Sequence, residues 1–336
     1  MIVAVDATNL LRDDRGMGRY VREVLRRLRS QVELRLVTQH RDAESRRGYA
    51  HALGYYDAPL VSARASGANV LWYPWNLTHF PPQLPYAVTI YDLAPLRFPH
   101  RSPWVRWREE RRLRRAAARA RTVITASEFT RSEIVERLGV EAARIRVASG
   151  APAALFQPGE PERLPEYLLE RPYLLYVGAV EPRKNLSTLL RAQARLFERS
   201  GVPLVCAGGA VPESPGVHSM GYVDEPLLLS LYRGATALVV PSLYEGFGLP
   251  VLEAMACGTA VVASRRSALP EVAGDAAYYV DQPGDVEAWC DALGRIENDP
   301  ELTATLRVRG RARAASFSWD RTAEVTLEAL QAAAAG

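Results

Sequence analysis

Apolar residues fall along this 336-residue chain in short valine- and leucine-rich runs, which alternate with segments of helical spacing. Short runs bounded by turn formers predict buried strands rather than helices. In the first half these are Ile2 to Val5, Val32 to Thr38, Val70 to Tyr73, Val88 to Tyr91, Thr122 to Ser127 and Ile145 to Ala148. A helix from about Gly18 to Leu28 lines Tyr20, Val21, Val24, Leu25 and Leu28 on one face, and a second covers Glu128 to Leu138. Residues 41–66 carry no clear period, and the Pro- and acid-rich stretch from Gly150 to Pro172 reads as a linker. A second half restarts with strands at Tyr173 to Val177, Leu204 to Ala207, Ala237 to Pro241 and Thr259 to Ala263. Helices are expected from Leu186 to about Arg199, from Leu227 to Arg233, over 285–298 and 300–315, and from Trp319 to Ala335. Residues 210–220 read as a loop. The β-loop-α-β rhythm predicts α/β architecture with parallel sheets.

The densest chemistry lies in residues 237–262, ALVVPSLYEGFGLPVLEAMACGTAVV. A strand to Pro241 is followed by a loop with two glycines. A helix opens at Pro250, where the missing N–H costs nothing, and Gly258 stops it. Ligands of such units sit beyond the carboxyl end of the strand. Gly246, Phe247, Gly248 and Leu249 therefore offer N–H groups to an anion. Two carboxylates flank that place, Glu245 in the loop and Glu253 in the expected first turn. An acid there is favoured by the helix dipole alone, by about 0.3–1 kcal/mol, so Glu253 has a purely structural reading. A carboxylate pair beside a phosphate cradle also suits the hydroxyls of a sugar nucleotide.

Composition narrows the class. With 48% hydrophobic and 24% charged residues the chain is globular, and no apolar run approaches the ~20 residues of a membrane helix. The opening MIVAVDATNL lacks a basic segment and reads as entering a strand directly, so a signal peptide is not expected there. Cys206, Cys257 and Cys290 form no disulfide or metal pattern, so a cytoplasmic location is expected. Charge is divided unevenly. Residues 1–150 carry 26 arginines against 15 acids, and residues 151–336 carry 16 basic residues against 23 acids. A domain boundary near residue 160 follows from charge as well as pattern. Lys184 is the one lysine of the chain.

The stretch PSLYEGFGLPVLEAMACGTAVVAS resembles the donor-site signature of retaining glycosyltransferases of the GT-B fold, family 4 or group 1, which include many mannosyl- and glucosyltransferases. The resemblance covers the whole chain, most strongly 173–282. It implies two doubly wound, Rossmann-like domains facing a cleft. Residues 1–160 would form the acceptor-side domain, 161–317 would bind the nucleotide sugar, and 318–336 would cross back to the first. The family's E-x7-E pattern falls on Glu245, facing the donor sugar, and Glu253, holding the ribose hydroxyls. Its phosphate-binding pair matches Arg183 and Lys184 in E-x-R-K-N. Cations just before a helix are unfavourable unless an anion joins them, which agrees with a diphosphate. Gly178 closes the preceding strand, Gly221, Tyr222 and Val223 match a base-contacting turn, and Gly16 and Gly18 match a G-x-G-R-Y stretch lining the donor cleft.

The implied reaction moves a glycosyl unit from a nucleoside diphosphate sugar to an acceptor hydroxyl, retaining configuration. Arg183, Lys184 and the 246–249 amides would stabilise the leaving diphosphate. No D-x-D occurs, so neither a metal nor another cofactor is expected. No residue stands out as a base, which accords with a front-face route. Strand-end loops supply Asn76, His79 and Asp92 as acceptor contacts, although relatives have His-Asp where this chain has Tyr91-Asp92; Asp92 also reads as a turn residue. The combined segments look most like GDP-mannose enzymes, with UDP- or dTDP-sugars as alternatives. A sugar-nucleotide epimerase or a non-catalytic binding module remains open. A nicotinamide dehydrogenase is disfavoured, since no G-x-G-x-x-G follows the first strand. The basic segment Arg101–Arg121, with Trp104 and Trp107, reads either as a solvated helix laced by Glu109 and Glu110 or as a face for anionic membrane or acceptor. No nucleic-acid module is recognisable.

Overall fold

The computed structural model describes residues 1–10, 16–37, 60–61, 67–98, 102–169 and 172–335. Arg101 lies outside the described residues. The chain divides into two compact units, Met1–Gly150 with Ser318–Gly336, and Ala151–Phe317. The division thus falls after Gly150 rather than near residue 160.

The first unit holds a seven-stranded sheet, order β3-β2-β1-β4-β5-β6-β7. Its strands are β1 (Ile2–Asp6), β2 (Glu33–Val37), β3 (Leu60–Val61), β4 (Val70–Tyr73), β5 (Tyr86–Thr89), β6 (Thr122–Thr125) and β7 (Ile145–Val147). Every pairing is parallel. The fully buried VLWY and TVIT runs explain why these segments read as unbroken apolar stretches. β5 begins two residues earlier than the apolar run suggests, because Tyr86 pairs with Leu71 and sends its hydroxyl to Ala116 O at 2.9 Å. The Gly16–Leu28 helix buries the expected Tyr20, Val21, Val24, Leu25 and Leu28. It starts two residues before the expected Gly18, so Gly16 and Gly18 are part of its first turn and Gly18 is buried. Tyr20 donates to Ala148 O at 2.8 Å and meets the ring of Trp319 edge-on at 5.5 Å. The Trp319–Ala335 helix is thereby packed within this unit.

The second unit holds a six-stranded parallel sheet, order β10-β9-β8-β11-β12-β13. Its strands are β8 (Leu174–Val177), β9 (Leu204–Ala207), β10 (Val217–Gly221), β11 (Ala237–Val240), β12 (Ala260–Ser264) and β13 (Tyr278–Val280). The segment read as a loop over 210–220 thus ends in a strand. β10 is an edge strand, half-buried and partly exposed, so VHSMG shows no apolar run. The linker contains a short helix, Glu166–Leu169. Both sheets are doubly wound, and each has one switch point, β1/β4 and β8/β11, where successive connections leave in opposite directions. Ligands of such sheets bind beyond the carboxyl ends of the strands there.

Candidate active site

At the second unit's switch point, β8 runs into Gly178 and then a single tight turn, Pro182–Lys184. Asn185 follows in the left-handed conformation, φ 55°, which asparagine tolerates better than most side chains. Its amide donates to Pro241 O at 3.2 Å and Pro283 O at 2.6 Å, while its Oδ1 accepts from Thr188 Oγ1 at 2.8 Å. This side chain staples the β8 loop to the end of β11. Leu243 N adds a bond to Arg183 O at 2.8 Å. Arg183 and Lys184 are thereby brought beside the loop that follows β11.

There the two cations meet Glu245. Lys184 Nζ lies 2.6 Å from Oε1, and Arg183 Nη1 lies 3.2 Å from Oε2. Arg183 Nε also bonds Glu181 Oε2 at 2.7 Å. Ser242 Oγ donates to Glu245 Oε1 at 2.7 Å, and the Glu245 N–H donates to Ser267 Oγ at 2.8 Å. Glu245 is 7% exposed. Burial pushes its pKa up, but Lys184 and Arg183, with the hydrogen bonds from Lys184 and Ser242, outweigh that and hold it below the ordinary value. It is therefore a carboxylate at neutral pH. The sequence placed the cations before the helix awaiting an external anion, or solvated. Their side chains are only 19% and 14% exposed, and the anion beside them is Glu245. A buried charge has to be paired, which is the physical reason.

The loop leads into the Leu249–Ala256 helix, capped by Gly248 at φ 112°. Gly246, Phe247, Gly248 and Leu249 precede or open that helix, as the sequence implied. Glu253, however, lies in the second turn rather than the first, so the dipole does not account for it. It is buried and accepts from Tyr232 Oη at 3.0 Å, inside the unit. Neighbouring strand ends are closely spaced backbone. Gly208, at φ 108°, would place a Cβ 3.0 Å from Gly178 O, and its N–H donates to Gly221 O at 2.7 Å. Gly178, Gly208 and Gly221 thus bring three strand ends together. Gly221 ends β10 rather than lying in a turn; Tyr222 beside it is 65% exposed and Val223 is half-buried.

The first unit's switch point is built differently. Asp6, the last residue of β1, is fully buried. Its Oδ1 accepts from Thr8 N at 3.0 Å and Thr8 Oγ1 at 2.5 Å, and its Oδ2 lies 2.5 Å from His79 Nδ1. Trp75 Nε1 donates to Asp6 O at 2.6 Å. The sequence marked His79 but not Asp6. The signal was an acid ending the first strand, and it was silent because its partner lies 73 residues away. Asn76, at φ 65°, accepts from Tyr91 N at 2.7 Å through its side chain. Asp92 accepts from Ala94 N at 3.0 Å, at the start of the Ala94–Arg97 helix. Both bonds hold backbone, across 15 positions for Asn76 and two for Asp92, whereas His79 is oriented by a carboxylate. Among the described residues, no three His, Cys, Asp or Glu side chains cluster as metal ligands would.

Comparison with known proteins agrees with these two sheets. A family model described as Glycosyl transferases group 1 matches residues 171–299. The O-antigen chain mannosyltransferase B of Escherichia coli is 36% identical over 275 residues, 75% of this chain and 72% of the relative. The MMP alpha-(1->4)-mannosyltransferase of Mycolicibacterium hassiacum is 33% identical over 66% of this chain and 56% of its own length. The crystal structure of Anabaena HepE in complex with UDP-glucose superposes with a TM-score of 0.77 at 16% identity, covering 98% of this chain and 99% of that one. The chain belongs to the group 1 glycosyl transferases, and it is a glycosyltransferase with the two Rossmann-like sheets of the GT-B fold.

Proposed function

We propose that the protein transfers a mannosyl unit from GDP-mannose to a hydroxyl of a saccharide acceptor, with retained configuration. The observation that carries this reading is the Lys184–Glu245–Arg183 cluster at the β8/β11 switch point. Loss of the diphosphate is the difficult step, since negative charge grows on it as the glycosidic bond stretches. A pair of cations already fixed by a buried carboxylate stabilises that charge without reorganising. Lys184 spends one of its three N–H donors on Glu245 and has others to offer a phosphate. Glu245 Oε1 accepts two hydrogen bonds and Oε2 one, so its first task is to hold the cations. The two cations make the reaction independent of a divalent metal in this reading.

The donor follows the relatives, two of which are mannosyltransferases by name. A UDP-sugar is the second reading, because the Anabaena structure contains UDP-glucose. In the first unit, the tautomer of His79 that donates Nδ1–H to Asp6 makes Nε2 an acceptor, suited to orienting an acceptor hydroxyl. Of the three residues the sequence offered for that task, Asn76 and Asp92 accept from the backbone N–H groups of Tyr91 and Ala94, and His79 is the one oriented by a carboxylate.

Thermal-shift titration and turnover with GDP-, UDP-, dTDP- and ADP-sugars, with and without chelator, test the proposal. GDP-mannose should raise the midpoint most, since stabilisation scales with the logarithm of ligand over Kd. Turnover should survive chelation. Preference for a UDP-sugar would move the reading to the alternative, and loss of turnover in chelator would overturn metal independence.

A further inference from the structure

The proposed reaction does not use the Pro103–Arg119 helix, the most basic element of the chain. Its buried stripe is Leu113, Ala116 and Ala117. At 3.6 residues per turn, Trp104, Trp107, Arg108, Arg111 and Arg115 lie on the opposite side, and all five are exposed. Trp104 and Trp107 are 62% and 53% exposed, whereas the other four tryptophans, Trp72, Trp75, Trp289 and Trp319, are buried. The Arg108 guanidinium lies 5.5 Å from the Trp104 ring centre, and that of Arg111 lies 5.2 Å from Trp107. Glu109 and Glu110 fall beside the buried stripe, and Glu110 pairs sideways with Arg114 at 2.9 Å. The helix is laced by its own charges at that flank, and its acids leave the outward face without a carboxylate of this helix.

We propose that this face docks on an anionic phospholipid surface, with Trp104 and Trp107 at headgroup depth and Arg108, Arg111 and Arg115 on lipid phosphates. Charge complementarity selects the occupant. A second copy of the same face would bring like charges together across a twofold axis. Arg108 and Arg111 each stand over one face of a tryptophan ring, and no nucleic-acid-binding module accompanies them. Tryptophan prefers the membrane–water boundary, and the helix, roughly 25 Å long, lies flat with its apolar stripe already spent on the protein. Among the described residues no helix is long and apolar enough to cross a membrane, so the contact is peripheral. The proposal stands whichever sugar is transferred.

Cosedimentation of the full chain with phosphatidylglycerol-containing vesicles, against pure phosphatidylcholine, tests it at about 0.1 M salt, where screening is moderate. Binding should be confined to the anionic vesicles and released by about 1 M salt. The triple variant Arg108→Gln, Arg111→Gln, Arg115→Gln should weaken it about 100-fold, at roughly fivefold per cation. The pair Trp104→Ser, Trp107→Ser should remove the vesicle-induced blue shift of tryptophan emission. All five side chains are exposed, so both variants should keep the parent's thermal midpoint and circular dichroism. Equal binding to neutral vesicles, no binding to either kind, or undiminished binding by the triple variant would overturn the proposal. So would duplex DNA bound at least as tightly through the same arginines.

Discussion

The two switch points of this chain meet the same topological demand with different chemistry. In the second unit, Arg183 and Lys184 converge on one buried carboxylate, with Glu181 paired to Arg183 at the side. In the first, one fully buried carboxylate, Asp6, steers an imidazole and a hydroxyl. One arrangement stores positive charge against a buried anion. The other fixes the direction of hydrogen-bonding groups. A switch point of this kind therefore supplies only a place; the residues ending β1 and following β8 decide what charge and which hydrogen-bonding groups it presents.

The largest expected effect separates the two. Lys184→Ala should reduce turnover at saturating donor by about 2.7–4 kcal/mol of transition-state stabilisation, since it removes a charge from the departing diphosphate. Near-normal turnover in that variant would erase the distinction. Asp6→Asn should act on the other side. It removes the charged partner of His79, a bond of about 1.5–3 kcal/mol, and should raise the acceptor KM with little change in GDP affinity. If calorimetry showed GDP binding lost instead, the two switch points would share one role.

Glu245→Gln sharpens the comparison through pH. The folded-state pKa of Glu245 lies below the ordinary glutamate value. Its contribution to stability is therefore complete above that value and is lost as pH falls through the folded pKa. Wild-type denaturation midpoints should drop in that acid window, while the glutamine variant, less stable at neutral pH, should show a shallower drop. The variant should also bind GDP more tightly, because the cations lose their internal anion. A parallel pair of acid profiles would speak against Glu245 as the counter-ion. The smallest expected effect is Ser242→Ala, which removes one buried bond to Glu245 and should cost about 1 kcal/mol in urea denaturation without changing donor choice.

Much of the second unit could be read from the chain because its strands are buried on both faces. LLYV, LVCA and ALVV are apolar throughout, and Pro250 and Gly258 bracket the central helix. β10 and β13 escaped because an edge position relaxes that pattern. Arg183, Lys184 and Glu245 were legible as residue types in glycine- and proline-marked loops. Their mutual pairing was not, since it bridges 61 and 62 positions through two strand ends. Asn185 passed unnoticed for the same reason, as its partners Pro241 and Pro283 offer only backbone oxygens. Glu253 falls just past the first turn because the helix opens at Leu249, one residue before Pro250, and its partner Tyr232 belongs to a different helix.

Lys184 stands alone as the chain's lysine. Reductive methylation with isotope-labelled formaldehyde would therefore tag a single ε-amine, besides the chain's N-terminus, and that amine sits within the cluster described above. On the proposed reaction, one methyl resonance would then report donor arrival, departure of the nucleoside diphosphate and the acid titration of the neighbouring carboxylate, without any cysteine having to be introduced or removed.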